Sequence, residues 1–249
     1  MKTKIQKFVP QVLLGISLLP LLGCMGSGAS NESPPYVAPA EPFPKFGKSL
    51  SYAILSAHDI TLSGSNVVYG DIGSQAASRA IDPLTVHHTG GETHFNDQKA
   101  VSAIQDAGTA YSNMAAHHCD TDLSGQNLGG LTLTPATYCF SGNATLDGLL
   151  TLDAQGNNRE NFVFQVGASL ITSTNAGIRI INNGESCNVL WQVTDSVSFA
   201  ANTNFIGGII AMGNVDFENE SKLNGKIMSQ GGSISINSSE IYNNFCPWW

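Results

Sequence analysis

The sequence is poor in charge and lacks the common motifs of catalysis. Lys, Arg, Asp and Glu make up only 12% of its 249 residues, which excludes a chain dominated by long, charge-laced helices. With 11 basic against 19 acidic side chains, it also lacks the positive surface that nucleic-acid binding needs. There is no G-x-S-x-G, H-E-x-x-H, P-loop or dinucleotide fingerprint. None of its five cysteines stands in CxxC spacing, so a zinc or redox centre has no sequence support. The one extended apolar stretch, residues 8–23, is short and interrupted by Pro and Gly. It reads as an export signal rather than a membrane span.

What is abundant is glycine, with 26 residues, and a short phrase that recurs. An apolar residue, any residue, glycine, any residue and then Ile or Leu appear at Val68/Gly70/Ile72, Leu146/Gly148/Leu149 or Leu150, Phe205/Gly207/Ile209 and Leu223/Gly225/Ile227. The last two stand 18 residues apart, as do Gly213 and Gly231. Alternating apolar pairs surround them: Val197/Phe199, Val215/Phe217 and Ile234/Ile236. Alternation marks half-buried strands, and Gly, Asn and Asp between them mark turns. A fixed offset with three short strands per period predicts a β-solenoid, whose coils bury their apolar faces by stacking. The glycine is expected at a corner that demands positive φ or close backbone approach. A β-sandwich is the alternative, but sandwiches require no fixed offset.

One segment has helical spacing. In Asn96–His118, Ala100, Ile104, Ala107 or Gly108, Tyr111 and Ala115 recur every three to four residues. A helix over about 96–116, N-capped by Asn96 or Asp97, is predicted to lie along the solenoid.

The N-terminal 45 residues are organised differently. Lys2, Lys4 and Lys7 precede the apolar stretch, and Leu21-Leu22-Gly23-Cys24 resembles the bacterial lipobox. That resemblance implies a signal peptide over 1–23, lipidation of Cys24 and attachment to membrane lipid at the cell surface or outer membrane. Removing the three lysines leaves 8 basic against 19 acidic side chains, a net charge of −11. Residues 24–45 are rich in Ser, Gly and Pro and read as a flexible tether. The folded domain is expected over 46–249.

Four cysteines remain beyond Cys24. An even number in an exported chain predicts disulfides. Cys119 and Cys139 are the local pair, and Cys187 with Cys246 would tie the C-terminal tail to the body.

The run "CDTDLSGQNLGGLTLTPATYCFSGNATLDGLLTLDAQGN", followed by "NFVFQVGASLIT" and "CNVLWQV", closely resembles the bacterial and fungal ice-binding proteins of DUF3494 type. The similarity spans about residues 46–243. It implies a mostly β fold: a right-handed, discontinuous β-solenoid of triangular section with one long α-helix alongside. It implies adsorption to ice, inhibition of ice growth and recrystallisation, and no enzymatic activity, cofactor or metal. Ice is the implied partner, and the chain is expected to be monomeric.

In better-known members of that family a Thr-(Ala/Gly)-x-(Thr/Asn) motif supplies the ice face. Ser63, Ser65 and Asn66, and Thr172, Thr174 and Asn175, come close to the motif; Asn202, Thr203 and Asn204 keep small groups in a segment that begins with Ala201. Thr145, Asn219, Ser221, Ser238 and Ser239 take the corresponding places in coils that fit less well. Glu220, Lys222 and Glu240 depart from the pattern, and a charge in the array would hold its own hydration shell. His87, His88, Glu92 and His94 have metal-donor atoms but no strict spacing, and read as a polar loop. Asp71, Asp147, Asp153 and Asp216 are scattered through strands and turns. The enzyme alternative, a polysaccharide-cleaving β-helix, would require an aromatic-lined cleft. The third reading is a surface adhesin of the same fold without ice activity.

Overall fold

The computed structural model describes residues 44–77, 79–81 and 86–243. The alternating segments become parallel strands stacked into coils with three faces. Face A holds Thr93–Phe95, Asp71–Ser74, Tyr52–Ser56, 226–229, 208–211, Val189–Val193, Phe162–Val166, Ala136–Phe140 and Thr121–Asp122, in that spatial order. Face B is a separate sheet: Ala144–Leu146, Leu170–Thr172, Val197–Phe199, Val215–Phe217, Ile234–Asn237, Ile60–Ser63 and Arg79–Ile81. Face C runs from Thr132–Leu133 through Leu149–Asp153, Gly177–Ile181, 204–206, 222–224, Glu240–Tyr242 and Asn66–Tyr69 to Val86–Thr89.

The stack is discontinuous in sequence. Tyr52–Ser56 lies between Lys222–Ser229 and Asp71–Ser74, while Ile60–Ser63 pairs with Ile234–Asn237. The N-terminal coils therefore continue the solenoid where the C-terminal coils leave off. The helix Gln98–Ala115 then carries the chain along face A towards the opposite edge strand. Nine strands at ~4.8 Å span roughly 38 Å. A helix of 18 residues covers about 27 Å of that.

The 18-residue offset is a strand register. Asn204–Ala211 pairs with Lys222–Ser229 residue for residue, from Asn204↔Lys222 to Ala211↔Ser229. Each of these strands turns from face C to face A at its glycine. Gly207 has φ +118° and Gly225 φ +158°, and a Cβ on Gly225 would meet the Gly207 carbonyl oxygen at 2.0 Å. Gly70 occupies the same corner between Asn66–Tyr69 and Asp71–Ser74. Gly148 does not: it lies between Ala144–Leu146 and Leu149–Asp153, at the corner from face B to face C. One of the four similar phrases thus serves a different turn, because any tight corner between short apolar strands favours that wording.

Asp97 caps the helix, accepting the Ala100 N–H at 2.8 Å. That bond, more than any other contact, holds the Asp97 carboxyl below the usual range. Ala100, Ala103, Ile104, Ala107, Ala110 and Met114 are the buried stripe. Tyr111 is half-buried and Ala115 exposed, so the stripe drifts from the expected one through Ala110 to Met114. It packs on Tyr52, Leu55, Val163, Leu190, Ile210 and Met228, the outward side chains of face A. At the helix end, Gln165 Nε2 donates to the carbonyls of Met114 and His117 at 2.7 and 2.9 Å.

Cys119 and Cys139 form a disulfide with Cα atoms 5.9 Å apart, tying the helix exit to the strand Ala136–Phe140. Cys187 is also disulfide-bonded; its expected partner, Cys246, lies outside the described residues, as does Cys24. Closing a loop of 20 residues is worth about 3 kcal/mol on the chain-entropy account. A Cys119→Ser, Cys139→Ser double variant is expected to lose that much in urea denaturation, with its helix still formed by circular dichroism.

Lys226 is buried on face A under the turn Gly47–Ser49. Its Nζ donates to the Leu50 carbonyl at 2.5 Å and lies 5.0 Å from the Phe46 ring centre. Burial nevertheless lowers its pKa from 10.5 to about 7. Between those values the unfolded chain binds this proton and the folded chain does not, so stability rises with pH there. Below about 7 both states carry the charge and its burial cost is fully present. Lys226→Met is expected to flatten the rise in melting temperature across that window.

Candidate functional site

The three faces present different surfaces. Face A is covered by the helix. Face C carries Arg179, a Lys222–Glu240 ion pair at 3.1 Å and the stacked rings of Tyr69 and Tyr242. Face B carries mostly Ser and Thr in its central row, with Ile171 and Asp216 among them.

Alternation sorts face B. In Ala144–Leu146, Leu170–Thr172, Val197–Phe199 and Val215–Phe217 the outer two residues are buried and the middle one is exposed. Strand register brings those middle residues into one row: Thr145, Ile171, Ser198, Asp216, Ser235 and Thr61. Asn127 extends it through a bridge to Thr145. The row therefore advances one coil at a time, by ~4.8 Å. Asp216 is its only carboxylate, and partial burial raises that group's pKa.

Both margins of face B are fixed by hydrogen bonds. At the corner from face A, Asn143 Oδ1 accepts the Ser169 N–H at 3.1 Å and Asn214 Oδ1 accepts the Ser233 N–H at 2.9 Å. Ser169 Oγ and Ser196 Oγ are 3.1 Å apart. At the corner to face C an internal ladder runs from coil to coil. Thr172 Oγ1 and Thr203 Oγ1 share a bond of 2.9 Å, and the Thr203 N–H donates to Ser221 Oγ at 3.2 Å. The Ser221 N–H donates to Ser239 Oγ at 3.2 Å, and the Ser239 N–H to Asn66 Oδ1 at 2.9 Å.

That ladder corrects the expected ice face. Asn66, Thr172, Thr203, Ser221 and Ser239 are all buried, because their small polar groups satisfy the backbone inside the corner. They cannot present side chains to an external surface. Ser63, Ser65, Thr174, Asn175, Asn202 and Asn219 are exposed along the outside of the same corner, with Ser238 half-buried among them. Asn175, Asn202, Glu220 and Ser238 hold positive φ there, which the αL turn requires and Asn tolerates best. Asn204 is exposed but belongs to face C. Thr145 alone among the expected residues lies in the central row of face B. Lys222 and Glu240, expected to interrupt the array, are paired on face C; Glu218 and Glu220 are the charges on the corner itself.

Thr61, Ile171, Ser198, Asp216 and Ser235 were not among the expected residues. Their signal was present: Ser198, Asp216 and Ser235 are the middle residues of the three apolar pairs that marked the strands. The His-rich segment is structural. His88 Nε2 lies 2.7 Å from the Gly70 carbonyl, and His94 lies between Glu92 at 3.2 Å and Asp97 at 2.9 Å.

The family model described as Ice-binding-like matches residues 54–242. A protein of Nostoc sp. (strain HG1) named ice-binding protein is 32% identical over 200 residues, covering 79% of this chain and 73% of its own. One of the same name from Leucosporidium sp. (strain AY30) is 25% identical over 224 residues, covering 82% and 84%. The crystal structure of an ice-binding protein from an Antarctic biological consortium superposes with a TM-score of 0.78 at 27% identity. It covers 84% of this chain and 95% of that one.

Proposed function

The chain belongs to the Ice-binding-like family, and from that membership we propose that it binds ice through face B. Its relatives are named for ice binding, a non-enzymatic function. The observation that carries the reading is the row advancing one coil at a time across face B, in which Thr145, Ser198, Ser235 and Thr61 supply short hydroxyl side chains around Ile171 and Asp216. Hydroxyl and methyl groups on a rigid frame hold water in fixed positions, whereas long side chains spread it over many. The exposed corner residues Ser63, Ser65, Thr174, Asn175, Asn202 and Asn219 widen the array. Adsorption at many coils together would block ice growth and recrystallisation.

Ice-affinity partition of the soluble domain from Phe46 onward is the test. Enrichment in the ice fraction over an inert protein is expected, and exclusion from the growing ice would overturn the proposal.

The lipobox-like segment supports a second element of the reading, display of the domain from a membrane. Acylation at Cys24 would anchor the chain more firmly than its interrupted apolar stretch could. A tether of about twenty residues in polyproline-like conformation would hold the domain roughly 60 Å from the surface. Cys24→Ser is expected to abolish lipid labelling and release the domain into the soluble exported fraction. Membrane retention of an uncleaved variant would mean that the apolar stretch anchors the chain by itself.

A further inference from the structure

We infer that face C carries a binding slot for a neutral saccharide, separate from face B. The slot exists because face C is interrupted. Gly177–Ile181 pairs with Asn204–Ala211 only at Gly177↔Asn204, and the two strands part beyond that point. This leaves a cavity of about 320 Å³ that reaches from Ile178 to Tyr242. Such a volume is at the small end of the range for small-molecule sites, about 300–1,000 Å³.

The wall at Tyr242 is an aromatic surface held upright. Tyr242 has Tyr69 as its register neighbour on one side and Asn224 on the other. Its ring stacks on Tyr69, with centres 4.9 Å apart and planes 17° from parallel. The opposite ring face is therefore the one that looks over Asn224 into the slot. The Tyr242 hydroxyl donates to Glu240 Oε2 at 2.8 Å, which fixes the ring's tilt. Asn204, Ile206, Lys222 and Asn224 also line the slot.

This combination selects the ligand class. A braced aromatic face matches the C–H face of a pyranose ring, and the exposed Asn204 carboxamide offers both donors and an acceptor to its hydroxyls. The one cation lining the slot, Lys222, is paired with Glu240 at 3.1 Å. An anionic ligand would have to compete with that carboxylate. No carboxylate lines the slot, whereas glycoside cleavage ordinarily requires a pair. The slot is therefore built to bind and not to cleave.

Affinity electrophoresis through gels containing laminarin, hydroxyethylcellulose or galactomannan tests the inference. At least one polymer is expected to retard the wild-type domain. Tyr242→Ala should weaken that binding about tenfold or more by removing the stacking surface, while Tyr242→Phe should retain it. Asn204 is exposed, so Asn204→Arg should leave the fold intact and obstruct the slot; it decides the matter should Tyr242→Ala melt without cooperativity. Ser198→Tyr, on face B, should be retarded like the wild type. The inference is overturned by the absence of retardation in all three gels, by retardation unchanged in folded Tyr242→Ala or Asn204→Arg, or by its loss in Ser198→Tyr.

Discussion

Ser198→Tyr is expected to bring thermal hysteresis close to zero while leaving the fold intact. Ser198 is exposed at the middle of face B, between Ile171 and Asp216 in register. A tyrosine ring there would stand above the row and keep the coils on either side from meeting ice together. Since solvent-facing changes usually fall within about ±0.5 kcal/mol, urea denaturation should barely move. Thr174→Tyr, on the outer corner, should reduce activity less. Asp216→Thr is expected to act in the opposite direction, because it removes the row's only carboxylate and that group's hydration shell. Unchanged hysteresis in Ser198→Tyr would place the ice contact on another surface. Thr203→Tyr is unsuitable for this purpose: Thr203 is fully buried in the corner ladder, so the change would disrupt packing before it touched ice.

The second large effect concerns stability. Trp191→Ala is expected to destabilise the domain by about 3–5 kcal/mol, the usual range for deleting a fully buried aromatic. Trp191 is the centre of a chain of rings inside the solenoid. It stacks on Phe164 at 3.8 Å and meets Phe205 at 5.0 Å, and Tyr138 stacks on the far side of Phe164 at 5.4 Å. Its indole N–H donates to the Ile206 carbonyl at 3.1 Å. The loss would therefore leave both a cavity bridging successive coils and a carbonyl without its donor. A Cβ on Gly207 would meet the indole nitrogen at 2.9 Å, so Gly207→Ala should cost stability at the same place for a second reason. Equilibrium urea unfolding measures both variants, and a Trp191→Ala loss under about 1 kcal/mol would show that neighbouring rings collapse into the space.

Local chemistry made much of the fold legible. Val197/Phe199, Val215/Phe217 and Ile234/Ile236 alternate because each strand has one buried side, and that period needs no knowledge of the neighbours. The 18-residue offset reports stacking directly, since coils of equal length place like residues in register. Asp97 and the small-residue stripe announce the helix for the same local reason, although Met114 rather than Ala115 completes the buried side.

The orientation of the corner residues could not be obtained that way. Ser, Thr and Asn are equally suited to bonding backbone inside a turn and to meeting water outside it, so Thr203 and Thr174 are indistinguishable as letters. Only the αL turn at each corner, together with the coil stacked beside it, directs Thr203 inward to Ser221 and leaves Thr174 exposed. The choice of face was likewise tertiary. Glu240 and Lys222 look disruptive in sequence because they follow the corner, yet the turn carries them onto face C, where they pair. By itself the sequence determined that coils would form and which strand residues would be buried. The packing of one coil on the next decided which polar residues build the corners and which remain free to meet a surface.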